Sequence, residues 1–528
     1  MHKNSLAVFL LPALLAGQTP KVEEAPLRAD LAFLSDDLLE GRGTGQRGGD
    51  LTMLYLESRL AAMGLKPANG ASFRQPVKIS GVATRAAESS LRFIGKTGEN
   101  TFLFGDQIVF SSGSGKADTT FDAPLVFVGY GAAAPEENWD DYKGFDCRGK
   151  ILVMLVNDPQ PTSDEPDRFG GKSLTYYGRW TYKLEEAKRR SAVGVLLIHT
   201  DASATYGWSV VQNSWTHERF QLAEGAGGTD LQGWMTHDSA KKLFASGGLD
   251  LDSLRTKAER KDFQPVPLDV QARGRLRCDV RNIDQANIAG VIPGTDAKLK
   301  EEAVIYSAHW DHLGKGNGAG DQIWNGAVDN ASGTAAVLAM AEVAAKHPAK
   351  RSQIFLFVCA EEQGLLGSEA YGLHPLWPLA KTAANLNLDA INWVGRTKDI
   401  GTQGSERTSL GGLAESVANK MSLTIAKMEP DLGGGYFRSD HFSFAKVGVP
   451  AFSIKAGKDW VKDPEVSKAK AATYEKRYHQ VTDEYDPTWD LSGMLEQAQF
   501  TLNLGYAVAD APTMPTWKKG DPFGSSRR

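Results

Sequence analysis

The chain has 528 residues, with 59 basic and 64 acidic side chains and a net charge of -5. This length exceeds what one hydrophobic core normally supports, so two or more domains are expected. The charge balance lacks the basic surplus of a nucleic-acid-binding protein, so nucleic acid is not an expected partner. A share of 41% hydrophobic and 23% charged residues is ordinary for a globular protein.

The N-terminus predicts an exported protein. Lys3 precedes an apolar stretch, residues 6–16, which is followed by Gly17. The stretch is far shorter than the ~20 residues that a membrane-spanning helix needs. It has the features of a secretory signal peptide, which we assign to residues 1–17. We therefore expect a periplasmic or secreted chain with no integral membrane segment after cleavage.

The remaining sequence divides into zones of different pattern. Residues 18–115 begin with helix-like spacing and end in a Ser- and Gly-rich loop. Residues 116–270 contain short strands of their own. In residues 271–515 strands alternate with helices, which predicts an α/β domain with a mostly parallel sheet flanked by helices. Residues 516–528 are expected to form a C-terminal tail.

The middle zone contains three short segments of interest: VGYG at 128–131, WDDY at 139–142 and GKI at 149–151. A helix-like segment and a strand at 193–198 follow them. With these features the zone resembles the protease-associated domain, an accessory β-rich module of exported peptidases. No catalytic pattern falls inside it.

The three cysteines are too few and too scattered to form a disulfide framework. Cys359 lies in an apolar run and is expected to pack as a small apolar group. A bridge between Cys147 and Cys278 remains open in an oxidising compartment.

Glu361 and Glu362 end an apolar run, residues 354–360, that is typical of a buried strand. Two adjacent carboxylates repel each other, and burying them requires a compensating charge. A divalent metal can supply it, with one acid as ligand and the other free to take a proton from water. The alternative is a strand that ends in solvent, where Glu pairs are common.

Other candidates stand at predicted strand ends or in the following loops: His309, Asp329, Asp389 and His479. Each has an ordinary alternative, because Asp caps helices and turns and His is found in cores and on surfaces. The carboxyl ends of parallel strands bind ligands, so these residues could converge on one crevice. Imidazole and carboxylate both bind zinc, and one carboxylate can bridge two metals. The set therefore suits two zinc ions.

The order of these elements is informative: His-x-Asp at 309–311, Asp-Asn-x-Ser-Gly at 329–333, Glu-Glu at 361–362, then Asp389 and His479. This pattern resembles the di-zinc aminopeptidases of metallopeptidase family 28, which have the zinc exopeptidase fold. Residues 36–42 (DDLLEGR) contain a Leu-Glu-Gly-Arg that is also similar. The resemblance implies that the first zone belongs to the peptidase domain and that the β-rich zone is inserted into it.

The resemblance also implies a role for each site residue. His309 and Asp389 would hold one zinc, Glu362 and His479 the other, and Asp329 would bridge the two. Glu361 matches the general base. Asp311 matches an acid that orients the imidazole of His309, and Tyr478 a hydroxyl that stabilises the oxyanion. The family further implies a cis peptide bond between Asp329 and Asn330.

Two other histidines, His312 and His441, are expected to be structural or to line the pocket rather than to bind metal. The loop at 433–437 is expected to shape the substrate pocket.

The sequence thus predicts an exported exopeptidase with two zinc ions per chain that acts on peptides, most consistent with an aminopeptidase. A glutaminyl cyclase shares the fold but uses a single zinc, and a non-catalytic relative usually lacks ligands. The complete ligand set disfavours both alternatives. Carboxypeptidase or dipeptidase action stays open, and the pattern indicates neither side-chain preference nor oligomeric state.

Overall fold

The computed structural model describes residues 20–224 and 228–526. The predicted signal peptide, residues 1–17, lies outside the described residues. Within the described ranges, no helix combines the length and the apolar character needed to cross a bilayer.

The central sheet positions the candidate site. We label six of its strands in chain order: β1 Arg74–Thr84, β2 Val266–Ile292, β3 Ala303–His309, β4 Ser352–Val358, β5 Thr382–Leu388 and β6 Ala451–Ala456. They lie side by side in the order β1, β2, β4, β3, β5, β6. β3 to β6 run parallel, whereas β2 pairs antiparallel with both of its neighbours, β1 and β4. Every residue of β3, β4 and β5 is buried, as expected for strands that are covered on both faces.

Helices cover both faces of this sheet. They are α1 Glu24–Leu34, α2 Arg47–Ala62, α3 Gly333–Lys346, α4 Leu366–Leu373, α5 Leu410–Lys420, α6 His441–Lys446, α7 Pro464–Ala472, α8 Tyr474–Arg477 and α9 Ser492–Asp510. α3 is apolar on nearly all sides and is buried along most of its length, between α1 and α9. The predicted α/β class is confirmed, although antiparallel strands beside β3 to β6 make the whole sheet mixed.

The N-terminal helices belong to the same core as the central sheet. Leu31 of α1 and Leu56 of α2 pack in one apolar cluster with Phe355 of β4 and Leu386 of β5. The segment Asp37–Arg42 lies between α1 and α2. The first and third zones of the sequence therefore fold together.

A second set of elements has cores of its own. Its strands are Ser90–Gly95, Gly98–Asn100, Ile108–Ser111, Asp118–Phe127, Ala133–Ala134, Trp139–Asp140, Ile151–Leu155, Gly194–His199 and Leu231–Thr236. The strand Arg219–Leu222 lies in the same stretch of sequence but pairs with β1 of the central sheet, and its Leu222 packs in the central apolar cluster. Its helices are Trp180–Arg189, Asp201–Ala204, Trp208–Thr216, His237–Ser246 and Leu251–Ala258. The larger of its apolar clusters runs from Leu91 to Leu276, beyond both ends of the zone at 116–270. We call residues 90–276 the β-rich unit.

The long strand β2 connects the β-rich unit to the central sheet. Its first part, up to Arg277, pairs with Ser90–Gly95 and Asp118–Phe127 of the unit. From Cys278 onward it pairs with β1, and Ile288–Ile292 pairs with β4. One continuous strand therefore contributes to both parts of the molecule.

Two remaining features concern the cysteines and the C-terminus. Cys147, Cys278 and Cys359 are all buried and free, so Cys147 and Cys278 are not bridged. Residues of the expected tail pack on the central part: Trp517 Nε1 donates to the Gly448 carbonyl at 2.8 Å, and Phe523 is buried.

Candidate functional site

Four of the predicted site residues lie at one edge of the sheet because their strands are parallel. His309 is the last residue of β3, Asp389 directly follows β5, and Glu361 and Glu362 follow β4. This edge is where open α/β sheets bind ligands. The structure thus brings together side chains that are up to 80 residues apart in sequence.

Asp329 lies between two imidazoles. Its Oδ1 is 3.2 Å from His309 Nε2, and its Oδ2 is 3.3 Å from His479 Nε2. Asp329 is buried, in a short π-helical turn just before α3. Each oxygen of this one carboxylate therefore faces a different histidine.

Each of these histidines has a second acid of its own. His309 Nε2 is 3.5 Å from Asp389 Oδ1, and His479 Nε2 is 3.0 Å from Glu362 Oε2. The site is consequently symmetric about Asp329, with one histidine and one acid on either side. All five residues for which the resemblance implies metal binding meet here.

Glu361 is the additional acid of the site. Its amide donates to Asp311 Oδ1 at 3.1 Å, and its side chain reaches a cavity that is also lined by Asp329 and Asp389. Burial raises the pKa of Glu361 well above its usual range, and Glu362, Asp389 and Asp440 raise it further against the opposing effect of His309. A carboxyl in these surroundings holds a proton readily.

Asp311 supports two site residues in different ways. His309 Nδ1 contacts the main-chain carbonyl of Asp311 at 3.1 Å, whereas the Asp311 carboxylate lies 3.8 Å away. That carboxylate accepts the Glu361 amide instead. The fully buried position raises the pKa of Asp311 to about 6.

His312 also lies inside the site. Its Nδ1 is 2.6 Å from Glu362 Oε1, and its ring is fully buried. By proximity alone, the residues form the groups His309, Glu361 and Asp389, and His312, Asp329 and Glu362. His479 contacts both Asp329 and Glu362, while His312 forms an ion pair with Glu362 and, among the described residues, with no other acid.

Tyr478 lies at the mouth of the site. Its ring stacks on that of His479 with centroids 3.8 Å apart, and it is 41% exposed. It lines the same cavity as Glu361. Burial and the charges of Asp329 and Glu362 raise the pKa of Tyr478, so its hydroxyl stays protonated.

The donor set fits a metal centre. The Nε2 atoms of His309 and His479 and Oε1 of Glu362 are buried and form no hydrogen bond of normal geometry among the described residues. Buried polar atoms are normally satisfied, so this convergence of unsatisfied atoms fits the binding of a cation. Imidazole nitrogens with carboxylate oxygens are the ligands that zinc takes.

Three residues next to the site have a left-handed backbone conformation. Ala360, Ala390 and His479 have φ values of +53°, +52° and +57°, although none is glycine. Each lies beside or within the ligand set, where strained conformations often serve function. The predicted cis peptide bond between Asp329 and Asn330 is present.

Sequence reasoning missed two buried charges that hold the site loops. Arg42 donates to the Trp310 carbonyl at 2.9 Å, in the loop after His309, and to the Gly326 carbonyl at 3.0 Å, in the loop before Asp329. Asp483 accepts the amides of Val328 and Asp329, each at 3.1 Å through Oδ2. The Leu-Glu-Gly-Arg motif at 39–42 was the one sequence feature that could have indicated a role for Arg42.

A cavity of about 300 Å³ opens beside the site residues. Lys455 and His441 line it together with Tyr436 of the loop at 433–437. Lys455 Nζ donates to the Asp389 carbonyl at 2.9 Å. Both predictions of a pocket-lining role, for His441 and for the loop, match this placement.

Residues 287–502 match the sequence profile of Peptidase family M28. The matched segment contains Glu361 and all five residues for which the resemblance implies metal binding. The match confirms the family resemblance of the motifs, from His309 to His479.

Two curated relatives of the chain are aminopeptidases by name. Aminopeptidase YwaD of Bacillus subtilis (strain 168) is 26% identical over 212 residues, 39% of this chain and 42% of that protein. Leucine aminopeptidase 2 of Trichophyton rubrum is 28% identical over 302 residues, 52% of this chain and 57% of that protein. The chain thus spans about half the length of these curated relatives.

The fold of the whole chain also has a counterpart among solved structures. The aminopeptidase from Aneurinibacillus sp. strain AM-1 superposes with a TM-score of 0.51 at 18% identity, over 94% of this chain and 96% of the other. At this identity, the likeness establishes the fold.

Proposed function

We propose that this protein is an exported zinc-dependent aminopeptidase that removes N-terminal residues from peptides. The observation that carries the proposal is the geometry of Asp329, whose two oxygens face His309 and His479 at 3.2 and 3.3 Å. Two zinc ions per chain suit this arrangement, since one carboxylate can bridge two metals. The M28 match and the names of its relatives support the reaction class.

The ligand assignment follows the contacts. His309 and Asp389 would hold one zinc, His479 and Glu362 the other, and Asp329 both. We prefer His479 to His312 as the ligand because its Nε2 lies within 3.3 Å of two acids of the set. His312 then positions Glu362 through the contact at 2.6 Å.

When bound, the two ions would activate a water molecule and polarise the peptide carbonyl. Glu361 is left free of the ligand set and takes the proton of the attacking water. It later delivers that proton to the leaving amine. The raised pKa of Glu361 favours its carrying the proton between these two steps.

Two neighbours assist this chemistry. Asp311 positions Glu361 through its amide and His309 through a main-chain carbonyl. Tyr478 has a protonated hydroxyl at the cavity and can donate to the oxyanion that forms from the carbonyl.

Zinc analysis and substitution of Glu361 test the proposal together. We expect two zinc ions per chain and hydrolysis of aminoacyl-anilides that stops with a chelator. Glu361→Gln should lower kcat by about 10²- to 10⁴-fold, the usual contribution of a general base, and should retain both ions. Full activity of this variant would refute the assignment of the base.

The alternatives give different results in the same measurements. A glutaminyl cyclase would contain one zinc, and a non-catalytic relative would bind none. A peptide panel blocked at either terminus separates aminopeptidase from carboxypeptidase or dipeptidase action.

We also propose that the β-rich unit is a protease-associated domain inserted into the peptidase domain. Its separate apolar cores and its position between the two sequence zones of the central sheet support this. The signal-like N-terminus supports export to the periplasm or medium. Detecting the mature chain outside the cytoplasm, cleaved near residue 17, tests that part.

A further inference from the structure

A second cavity joins the site to the β-rich unit. It has a volume of about 230 Å³ and is lined on one side by Glu361, Glu362 and Tyr478. On the other side it is lined by Arg179 and Thr181, at the start of the helix Trp180–Arg189. We call this cavity the site groove. The β-rich unit therefore forms one wall of the space next to the proposed base.

Two arginines of the site groove lack an acidic partner. Arg179 belongs to the β-rich unit, and Arg438 belongs to the loop before α6. In the described part of the chain, neither guanidinium forms an ion pair with a carboxylate. Arg179 Nη1 contacts the Gly433 carbonyl at 3.3 Å, but its buried Nε has no acceptor.

Glu361 and Glu362 of the proposed metal site also line the groove, but in the described ranges no acid that lines it forms an ion pair with either arginine. Lys446 and Glu185 are bound to each other at 2.9 Å. Glu369 is influenced mainly by burial and by Lys446, not by either arginine. Burial and the charge of Arg438 lower the pKa of Arg179 to about 10, against the opposing effects of Tyr206 and Asp431, which leaves it charged at neutral pH. The two positive charges therefore stand close together with free donors.

Free guanidinium donors beside a reaction centre indicate an anionic ligand. The planar fork of arginine matches a carboxylate through paired hydrogen bonds. The helix Trp180–Arg189 begins at the same place, without a side-chain cap, and its N-terminal amides favour negative charge there. The groove is built to receive an acid.

We infer that Arg179 and Arg438 bind a carboxylate of the peptide substrate, on the far side of the cleaved bond from the released residue. This inference rests on the proposed peptidase function, because it places the acid relative to Glu361. Two sources share this chemistry: the C-terminal carboxylate of a dipeptide, and the side chain of Asp or Glu in a longer peptide. The β-rich unit then takes part in substrate selection through Arg179.

Matched substrates test the inference on the zinc-loaded full chain. We expect kcat/KM to be roughly 10- to 100-fold higher for Leu-Gly than for Leu-Gly-amide, as charge-assisted hydrogen bonds provide. In Arg179→Gln and Arg438→Gln this ratio should fall toward one. Taking the ratio within each variant cancels any loss of folded protein. Arg148→Gln removes an exposed arginine of the β-rich unit outside the groove and should keep the wild-type ratio.

The two sources of the carboxylate give separate results. A preference for Leu-Asp-amide over Leu-Asn-amide that both substitutions abolish identifies the side chain as the source. Equal rates for the charged and the uncharged member of each pair would overturn the inference. Preferences that survive both arginine substitutions would overturn it as well. In those cases hydrolysis of a leucine anilide still supports the proposed function.

A binding measurement separates failure of the inference from failure of the proposed function. If no substrate is hydrolysed, the proposed function fails. Calorimetric titration of Glu361→Gln with Leu-Gly and Leu-Gly-amide then shows whether the groove binds a carboxylate. A Kd roughly tenfold or more lower for Leu-Gly supports a carboxylate site. Equal Kd values would refute it.

Discussion

Arg42 shows how single residues hold the site loops. It is buried, and it donates to the carbonyls of Leu34, Trp310, Asn325 and Gly326. Burial lowers the pKa of Arg42 to about 10, which is still high enough for a full charge at neutral pH. One side chain thus connects α1, the loop after His309 and the loop before Asp329.

Replacing Arg42 should destabilise the fold. Arg42→Met leaves these carbonyls without donors, so we expect a loss of about 2–5 kcal/mol in the free energy of unfolding. Urea denaturation measures this loss. A change below about 1 kcal/mol would show that water satisfies the carbonyls and that Arg42 holds nothing.

His441 should make the protein sensitive to acid. Burial, and then the charge of Lys455, lower the pKa of His441 to about 3 against the opposing effects of Asp389 and the Tyr436 backbone, and neither ring nitrogen forms a hydrogen bond of normal geometry with the described residues. The folded state therefore disfavours the protonated ring. Its contribution to stability is complete above the unfolded pKa of about 6.5 and is lost as the pH falls toward 3.

The variant His441→Phe keeps an aromatic ring beside Tyr436, whose centroid lies 4.8 Å from that of His441. Between pH 7.5 and pH 5 we expect the wild type to lose about 2 kcal/mol more than this variant. Denaturant unfolding at the two pH values gives both losses. Parallel losses in the two proteins would contradict a buried neutral His441.

At the scale of elements, the start of α3 is tightly joined to the end of β5. Asn330 Nδ2 donates to the Leu388 carbonyl at 3.0 Å, and its Oδ1 accepts the Gly333 amide at 2.9 Å. A Cβ on Gly333 would lie 2.3 Å from Asn330 Oδ1 and 2.5 Å from the Leu388 carbonyl oxygen. Only glycine fits this junction, which lies between Asp329 and Asp389.

Gly333→Ala should therefore disturb the ligand set. We expect a loss of about 1–3 kcal/mol from overpacking, together with fewer than two zinc ions per chain. Gly412→Ala is the matched control, because a Cβ there meets nothing within 4 Å in α5, and a gain of about 0.4–1 kcal/mol is expected. Full zinc content in Gly333→Ala would show that the junction can adjust without moving the ligands.

The element scale also explains what the sequence could predict. His309, Asp389 and the Glu361–Glu362 pair follow apolar strands, and parallel strands place such residues at one edge by geometry alone. His479 follows no strand, since it lies after α8, so only the family pattern could indicate it. Arg42 and Asp483 were missed because their partners are main-chain groups of distant loops, which leave no pattern in the sequence.

At the scale of the whole molecule, β2 makes the β-rich unit and the central sheet share one strand. Unfolding either part alone would break hydrogen bonds between β2 and its partner strands. We therefore expect one cooperative unfolding transition by calorimetry rather than two.

Phe127→Ala tests this coupling. Phe127 is fully buried in the β-rich unit and packs edge-on against Phe244 and Phe263. Its truncation should cost about 3–5 kcal/mol and should move the entire transition to lower temperature. Two transitions of which only one moves would show that the parts unfold independently.

The small size of the cavity beside Glu361 has a protective consequence. A space of about 300 Å³ has the dimensions of a small-molecule site, so it admits the loose end of a chain but not the surface of a folded protein. For the proposed peptidase, intact neighbours are thereby spared by size alone. Such an enzyme can work among folded proteins, and its substrates are limited to chains that have already been unfolded or cut.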